Sequence, residues 1–167
     1  MKLLVMRHGE AVAPVAHPAA GADAARELTA AGRAEAVAAG TWLQQQYGAL
    51  DLVLVSPYIR AQQTWEAVQQ QVAAEVVEET ADITPAGDPD SFATELLARL
   101  QIEPAETVLV ISHMPFVSYL VQFLDTTVQA PIFPTAGIAE LTAEPLAMSG
   151  RLLHLHTVHP EPPHPGI

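Results

Sequence analysis

Leu3-Leu4-Val5-Met6-Arg7-His8-Gly9-Glu10 is the stretch whose reading decides the fold. Its first half is a short apolar run, the pattern of a buried strand. The run stops at a cation and an imidazole, Arg7-His8, and Gly9 then lets the backbone turn sharply. Arg7 and His8 are therefore expected at the carboxyl end of a central strand. In open α/β sheets that edge is where ligands bind.

Two more apolar runs end the same way. Leu52-Val53-Leu54-Val55 stops at Ser56-Pro57. Proline cannot continue a central ladder but suits the first turn of a helix. The helix that follows is predicted to run to about Ala73, with Arg60 in its first turn. Free backbone N–H groups there already favour an anion, and a cation opposes the helix dipole unless it serves a bound anion. Thr107-Val108-Leu109-Val110-Ile111 is the strongest strand signal, continuous and β-branched as in a strand covered on both faces. Ser112-His113 follows at once, and Met114-Pro115 opens a helix to about Leu124. Strand ends of one parallel sheet lie on one rim, so Arg7, His8, Arg60 and His113 are expected in one pocket.

The remaining segments fill in an α/β domain. Residues 11–27 read as a loop, with Arg26 a loop charge in water or at most an outer contact to a bound anion. Thr29 is a candidate N-cap. Ala34, Val37, Ala38, Thr41 and Trp42 follow the spacing of one helix face, and that helix should end near Gly48. Glu75–Glu78 is a weaker strand, expected near a sheet edge. Residues 80–90 form a loop, and Asp90 is expected to cap a helix through Leu100. Ile138–Thr142 and Arg151–His156 resemble a closing hairpin. Strands alternating with helices predict a three-layer α/β fold, a mostly parallel central sheet with helices on both faces. A single domain, 1–158, is expected, followed by a Pro-rich tail, 159–167.

Composition removes several function classes. The chain of 167 residues is half apolar, enough for one hydrophobic core. Its net charge is −12 and Lys2 is its only lysine, which argues against nucleic acid as a partner. No apolar run approaches a membrane span of about 20 residues, and no signal-peptide pattern is visible. There is no cysteine, hence no disulfide and no thiolate metal site. A cytoplasmic monomer without cofactor or metal is expected.

Two arginines and two histidines on one rim match the needs of phosphoryl transfer. Arginine offers permanent charge and bidentate geometry to a phosphoryl group. A neutral imidazole can attack phosphorus and form a covalent intermediate. A second imidazole can donate to the equatorial oxygens as charge shifts. No Walker loop and no evident carboxylate cluster for magnesium is present.

Arg7-His8-Gly9, Arg26-x-Leu28-Thr29-x-x-Gly32, Ser56-Pro57-x-x-Arg60-Ala61-x-x-Thr64 and Ser112-His113, in this order and spacing, resemble the histidine phosphatase superfamily, whose fold is phosphoglycerate mutase-like. The resemblance covers nearly the whole chain. It implies that His8 is the phosphorylated nucleophile, that Arg7, Arg60 and His113 complete the phosphate pocket, and that Ser56 is a supporting group. Val55 to Thr64, Ile83 to Asp88 and Val110 to Pro115 are most similar to the short phosphohistidine phosphatases of the SixA type. That similarity implies removal of phosphate from histidine of a phosphotransfer protein. The mutases place Asn seven residues after the motif arginine, where this chain has Pro14, and a general-acid Glu after the third strand. Here that region offers only Glu78, Glu79 and Asp82, so the proton donor stays unassigned, with Asp82 the nearest candidate.

Three rival readings remain at this point. One is a phosphatase for small phosphomonoesters with the same pocket, and another is a phosphoryl-binding module without turnover. The third is a metal site formed by His154, His156, His159 and His164, weak without cysteine or nearby carboxylates.

Overall fold

The computed structural model describes residues 1–160; the rest of the expected Pro-rich tail, and with it His164, lies outside the described residues. Six strands form one sheet: β1 (Lys2–Arg7), β2 (Ala49–Val55), β3 (Ala73–Glu79), β4 (Thr107–Ser112), β5 (Ile138–Glu144) and β6 (Ser149–His156). Their order is β3-β2-β4-β1-β5-β6. The first four run parallel, while β5 is antiparallel to β1 and β6 to β5. This is the expected mostly parallel sheet with a closing hairpin at one edge. The weak strand, β3, is the opposite edge.

Alternation along β1 sets the layers. Leu4 and Met6 pack with Ala36, Leu43, Trp65 and Val68 of α1 (Ala30–Tyr47) and α2 (Ile59–Val68). Leu3 and Val5 pack on the other face with Leu96, Leu97, Phe116 and Leu120 of α3 (Pro89–Ile102) and α4 (Phe116–Leu124). Burying each such side chain contributes roughly 1.5–3 kcal/mol. A strand buried on both faces reads as a continuous apolar run, which is why β1 and β4 were legible.

Local signals set most helix ends. Thr29 Oγ1 accepts from the Gly32 N–H at 3.0 Å and caps α1, which ends at Gly48 with φ of 74°. Two boundaries differ from expectation. α2 stops at Val68, not near Ala73, because Gln69–Val72 turn the chain back so that Ala73 can pair with Ala49 beside β2. Asp88, not Asp90, caps α3: its carboxylate accepts from the Asp90 and Ser91 N–H groups, and Pro89 occupies the first turn.

The loop after β1 is closed at its base by the Ala11–Leu28 bridge. It lies against the start of α1 so tightly that a Cβ on Gly9 would sit 2.5 Å from the Gly32 carbonyl oxygen, and one on Gly32 would collide with Glu10 O. Both positions need glycine for this backbone approach.

Candidate active site

The carboxyl ends of β1, β2 and β4 form one rim. Arg7 is in register with Ser112, and Val55 with Ile111. The next peptides extend this pairing: His8 N–H donates to Ser112 O at 3.0 Å and Ser56 N–H to Ile111 O at 3.1 Å. His8, Ser56 and His113 are thereby held side by side, and the His8 and His113 rings lie 5.2 Å apart between centroids. Arg60 reaches the same point from the first turn of α2, with its Nε donating to His8 Nε2 at 3.2 Å. His8, Arg60 and His113 are 6%, 3% and 1% exposed.

A hydrogen bond to a carbonyl assigns the His8 tautomer. His8 Nδ1 lies 2.7 Å from Gly9 O, and only an N–H can donate to a carbonyl. The lone pair is therefore on Nε2, the atom that faces Arg60. Tyr58 N–H donates to Ser56 Oγ at 3.3 Å, and the same hydroxyl lies 2.7 Å from His113 Nε2, close enough to donate its proton there. With Ser56 as the donor, His113 carries its own proton on Nδ1. That Nδ1 and Arg7 Nε are the two buried side-chain polar atoms without a partner among the described residues. Buried polar groups are rarely left unpaired, and those that are call for a ligand or a catalytic role.

Neighbouring groups fix the cations. Arg7 Nη1 donates to Phe133 O at 2.8 Å. Arg60 lies 5.0 Å from the Tyr58 ring centroid, and that ring meets His113 edge-on. Thr64 Oγ1 donates to Arg60 O at 2.7 Å and accepts from Gly9 N–H at 3.1 Å, tying α2 to the turn after His8. Arg26 is not a loop charge in water. It donates to Asp23 Oδ1 at 2.9 Å and to Val12 O at 2.7 Å, and its charge acts on both histidines.

Burial first, and then the charges of Arg60, Arg7 and Arg26, lower the His8 imidazole to about 4, against the raising effect of the Gly9 carbonyl. Burial, then Arg60, His8 and the other two arginines, lower His113 to about 2. Both rings are therefore neutral near pH 7. Depressed folded-state values mean that the unfolded chain binds these protons first. The stability they contribute is complete above about 6.5, the ordinary imidazole value, and is lost as pH falls towards about 4 for His8 and about 2 for His113. Each should contribute a slope approaching about 1.4 kcal/mol per pH unit in its window. Denaturant titrations between pH 6.5 and 4.5 should show a flatter dependence in a His8→Gln/His113→Gln variant. An unchanged slope would count against neutral burial of the pair.

Neither Glu78 nor Asp82 makes a hydrogen bond to this group. Glu78 accepts from both terminal nitrogens of Arg99, at 2.6 and 2.7 Å, and these bonds hold its carboxyl below the ordinary value. Asp82 is exposed, and its carboxylate makes no hydrogen bond or ion pair among the described residues. Of the C-terminal histidines, His156 is engaged within the fold. His156 pairs with Glu140 at 3.1 Å and stacks on Trp42, and no group of three metal-binding side chains occurs among the described residues.

Sequence comparison places this chain in a family. Residues 3–82 match the model of the histidine phosphatase superfamily (branch 1). The chain is 38% identical to the phosphohistidine phosphatase SixA of Escherichia coli (strain K12) over 86% of each chain. It belongs to the histidine phosphatase superfamily. A phosphohistidine phosphatase SixA homolog of Haemophilus influenzae is 37% identical, over 84% of this chain and 87% of that one. The structure of the protein histidine phosphatase SixA complexed with tungstate superimposes with a TM-score of 0.83 at 35% identity, covering 93% of this chain and 96% of that one. The α/β sheet with its carboxyl-end rim is thus the fold of this family. No helix among the described residues is long and apolar enough to cross a membrane.

Proposed function

We propose that this protein is a phosphohistidine phosphatase, a hydrolase that removes phosphate from histidine of a phosphotransfer protein through phosphorylated His8. The observation that carries this reading is the grouping at one sheet rim of His8, whose Nε2 lone pair faces Arg60 Nε, with Arg7 and His113, each of which keeps a buried polar atom without a partner among the described residues. The substrate class is supported by the two similar SixA proteins.

The steps follow from the tautomers. His8 Nε2 attacks phosphorus as the phosphorus–nitrogen bond to the substrate imidazole breaks. Arg60 leaves the lone pair and, with Arg7, neutralises the phosphoryl oxygens. His113 Nδ1–H donates to an oxygen whose charge grows in the transition state. A substrate ring protonated on its other nitrogen departs as neutral imidazole. Water then attacks phospho-His8. His8 keeps its Nδ1 proton on Gly9 O and also departs neutral, and both water protons stay with the phosphate as H2PO4⁻. Neither step calls for a positioned acid, whereas an alkoxide leaving group does.

A substrate panel tests the reading. kcat/KM should be high for a phosphohistidine protein and poor for sugar phosphates and phosphoserine peptides, and Asp82→Asn should barely alter phosphohistidine turnover. Comparable efficiency on sugar phosphates, abolished in Asp82→Asn, would make the protein a general phosphomonoesterase. Binding of phosphorylated ligands without turnover of any would make it a phosphoryl-binding module.

A further inference from the structure

Asp23 has no role in the chemistry above, yet it holds the arginine nearest the nucleophile. Arg60 Nη1 donates to the Asp23 main-chain carbonyl at 2.6 Å, and Arg60 Nη2 to the Asp23 carboxylate at 3.3 Å. With Nε on His8, each guanidinium nitrogen of Arg60 has a partner. The same carboxylate accepts from Arg26 Nε through its other oxygen at 2.9 Å. A negative group thus bridges two cations beside the point of phosphoryl transfer.

The two Asp23 contacts differ in kind. Its backbone is fastened: Ala24 O, the next carbonyl, accepts from Ile59 N–H at the start of α2 at 3.0 Å, and the Asp23 carbonyl makes the short bond to Arg60. Its side chain is half exposed and makes the long bond to a 3%-exposed partner. A cavity of about 520 Å³, walled in part by Val12, Pro14, Val15, Asp23 and Arg26, adjoins it and gives the carboxylate room to turn. The carbonyl therefore anchors Arg60 through Nη1, while the carboxylate on Nη2 is the weaker, removable contact.

We propose that Asp23 is a positioning residue with a second effect: its carboxylate is an internal anion on Arg60 that the phosphoryl oxygens of the substrate displace, so Asp23 sets how weakly the site holds oxyanions. The displaced carboxylate stays on Arg26, its shorter partner. The consequence is release of product. A site of one buried and one half-buried arginine holds inorganic phosphate tightly, and a carboxylate that competes for Arg60 drives it out. This inference rests on the reading of Arg60 as a phosphoryl ligand.

The test is tungstate and inorganic phosphate affinity, measured by calorimetry and by inhibition, with KM and kcat on a phosphohistidine protein. Asp23→Asn keeps an oxygen acceptor but removes the charge. It should bind both oxyanions several-fold more tightly and lower KM without raising kcat. Asp23→Glu should stay close to the parent. Asp23→Ser removes the charge by a different side chain and serves where Asn folds poorly. Weaker or unchanged oxyanion binding in the folded neutral variants overturns the proposal and leaves Asp23 a purely structural clamp. Arg60→Ala separates the two readings. Loss of tungstate binding there upholds Arg60 as the ligand whatever Asp23 does, and parental affinity in Arg60→Ala overturns the assignment of Arg60 itself.

Discussion

Turnover of phosphohistidine in His8→Ala should fall by on the order of 10⁴-fold or more, the scale on which loss of a nucleophile is felt. The substitution leaves the surrounding main chain in place, because the bonds that fix this turn, His8 N–H to Ser112 O and Ala136 N–H to His8 O, are backbone bonds. The loss is therefore chemical. His113 is not expected to take over, since its Nε2 is directed to Ser56 at 2.7 Å. Rapid quenching of the parent with labelled substrate should trap phosphate on the protein in an acid-labile, base-stable form, and His8→Ala should trap none. Substantial residual turnover, or equal labelling of both proteins, would rule out the covalent route.

The second large effect belongs to Arg60. Arg60→Ala should cost roughly 2–5 kcal/mol in kcat/KM, the range for removing one partner of a desolvated charge pair. Arg60→Lys should recover only part of this. Three nitrogens of Arg60 serve three separate acceptors, His8 Nε2, the Asp23 carbonyl and the Asp23 carboxylate. A single ammonium cannot hold the Asp23 carbonyl and also face the phosphoryl group in that planar arrangement. Full recovery with lysine would show that charge alone is used, without the fork.

The legible parts of this site were those encoded by strand endings. Apolar runs that stop at Arg7-His8, at Ser56-Pro57 and at Ser112-His113 become the tips of β1, β2 and β4, and a parallel sheet carries its tips to one rim. Arg60 was legible because a cation in a first helical turn opposes the dipole. Asp23 was not, since a carboxylate in an Ala- and Pro-rich loop looks like any solvated charge until the loop is folded onto α2. Arg26 was misjudged for the same reason. The Phe133 carbonyl that holds Arg7 has no signal at all, because every residue carries a carbonyl. Thr64 was visible as a motif position four residues after Arg60, but its bond to Gly9 N–H depends on how α2 docks. The misplaced α3 cap had a readable cue: Asp88-Pro89 puts proline at the first helical position, which makes the preceding Asp the cap.

The strand order has a consequence for the time at which activity can arise. β1 has no neighbour among the strands that follow it directly; it lies between β4 and β5, with Lys2 opposite Thr107 and Thr142. A chain emerging from the ribosome can pair β2 with β3 early, but the strand bearing Arg7 has no ladder until residues beyond 107 are out. Such distant pairings are closed late and slowly. His8, Arg7, Arg60 and His113 are therefore expected to come together late in folding, and a shortened chain ending after β3 lacks β4, and with it His113 and the ladder that holds β1. Regained activity should follow global refolding with no earlier phase of its own.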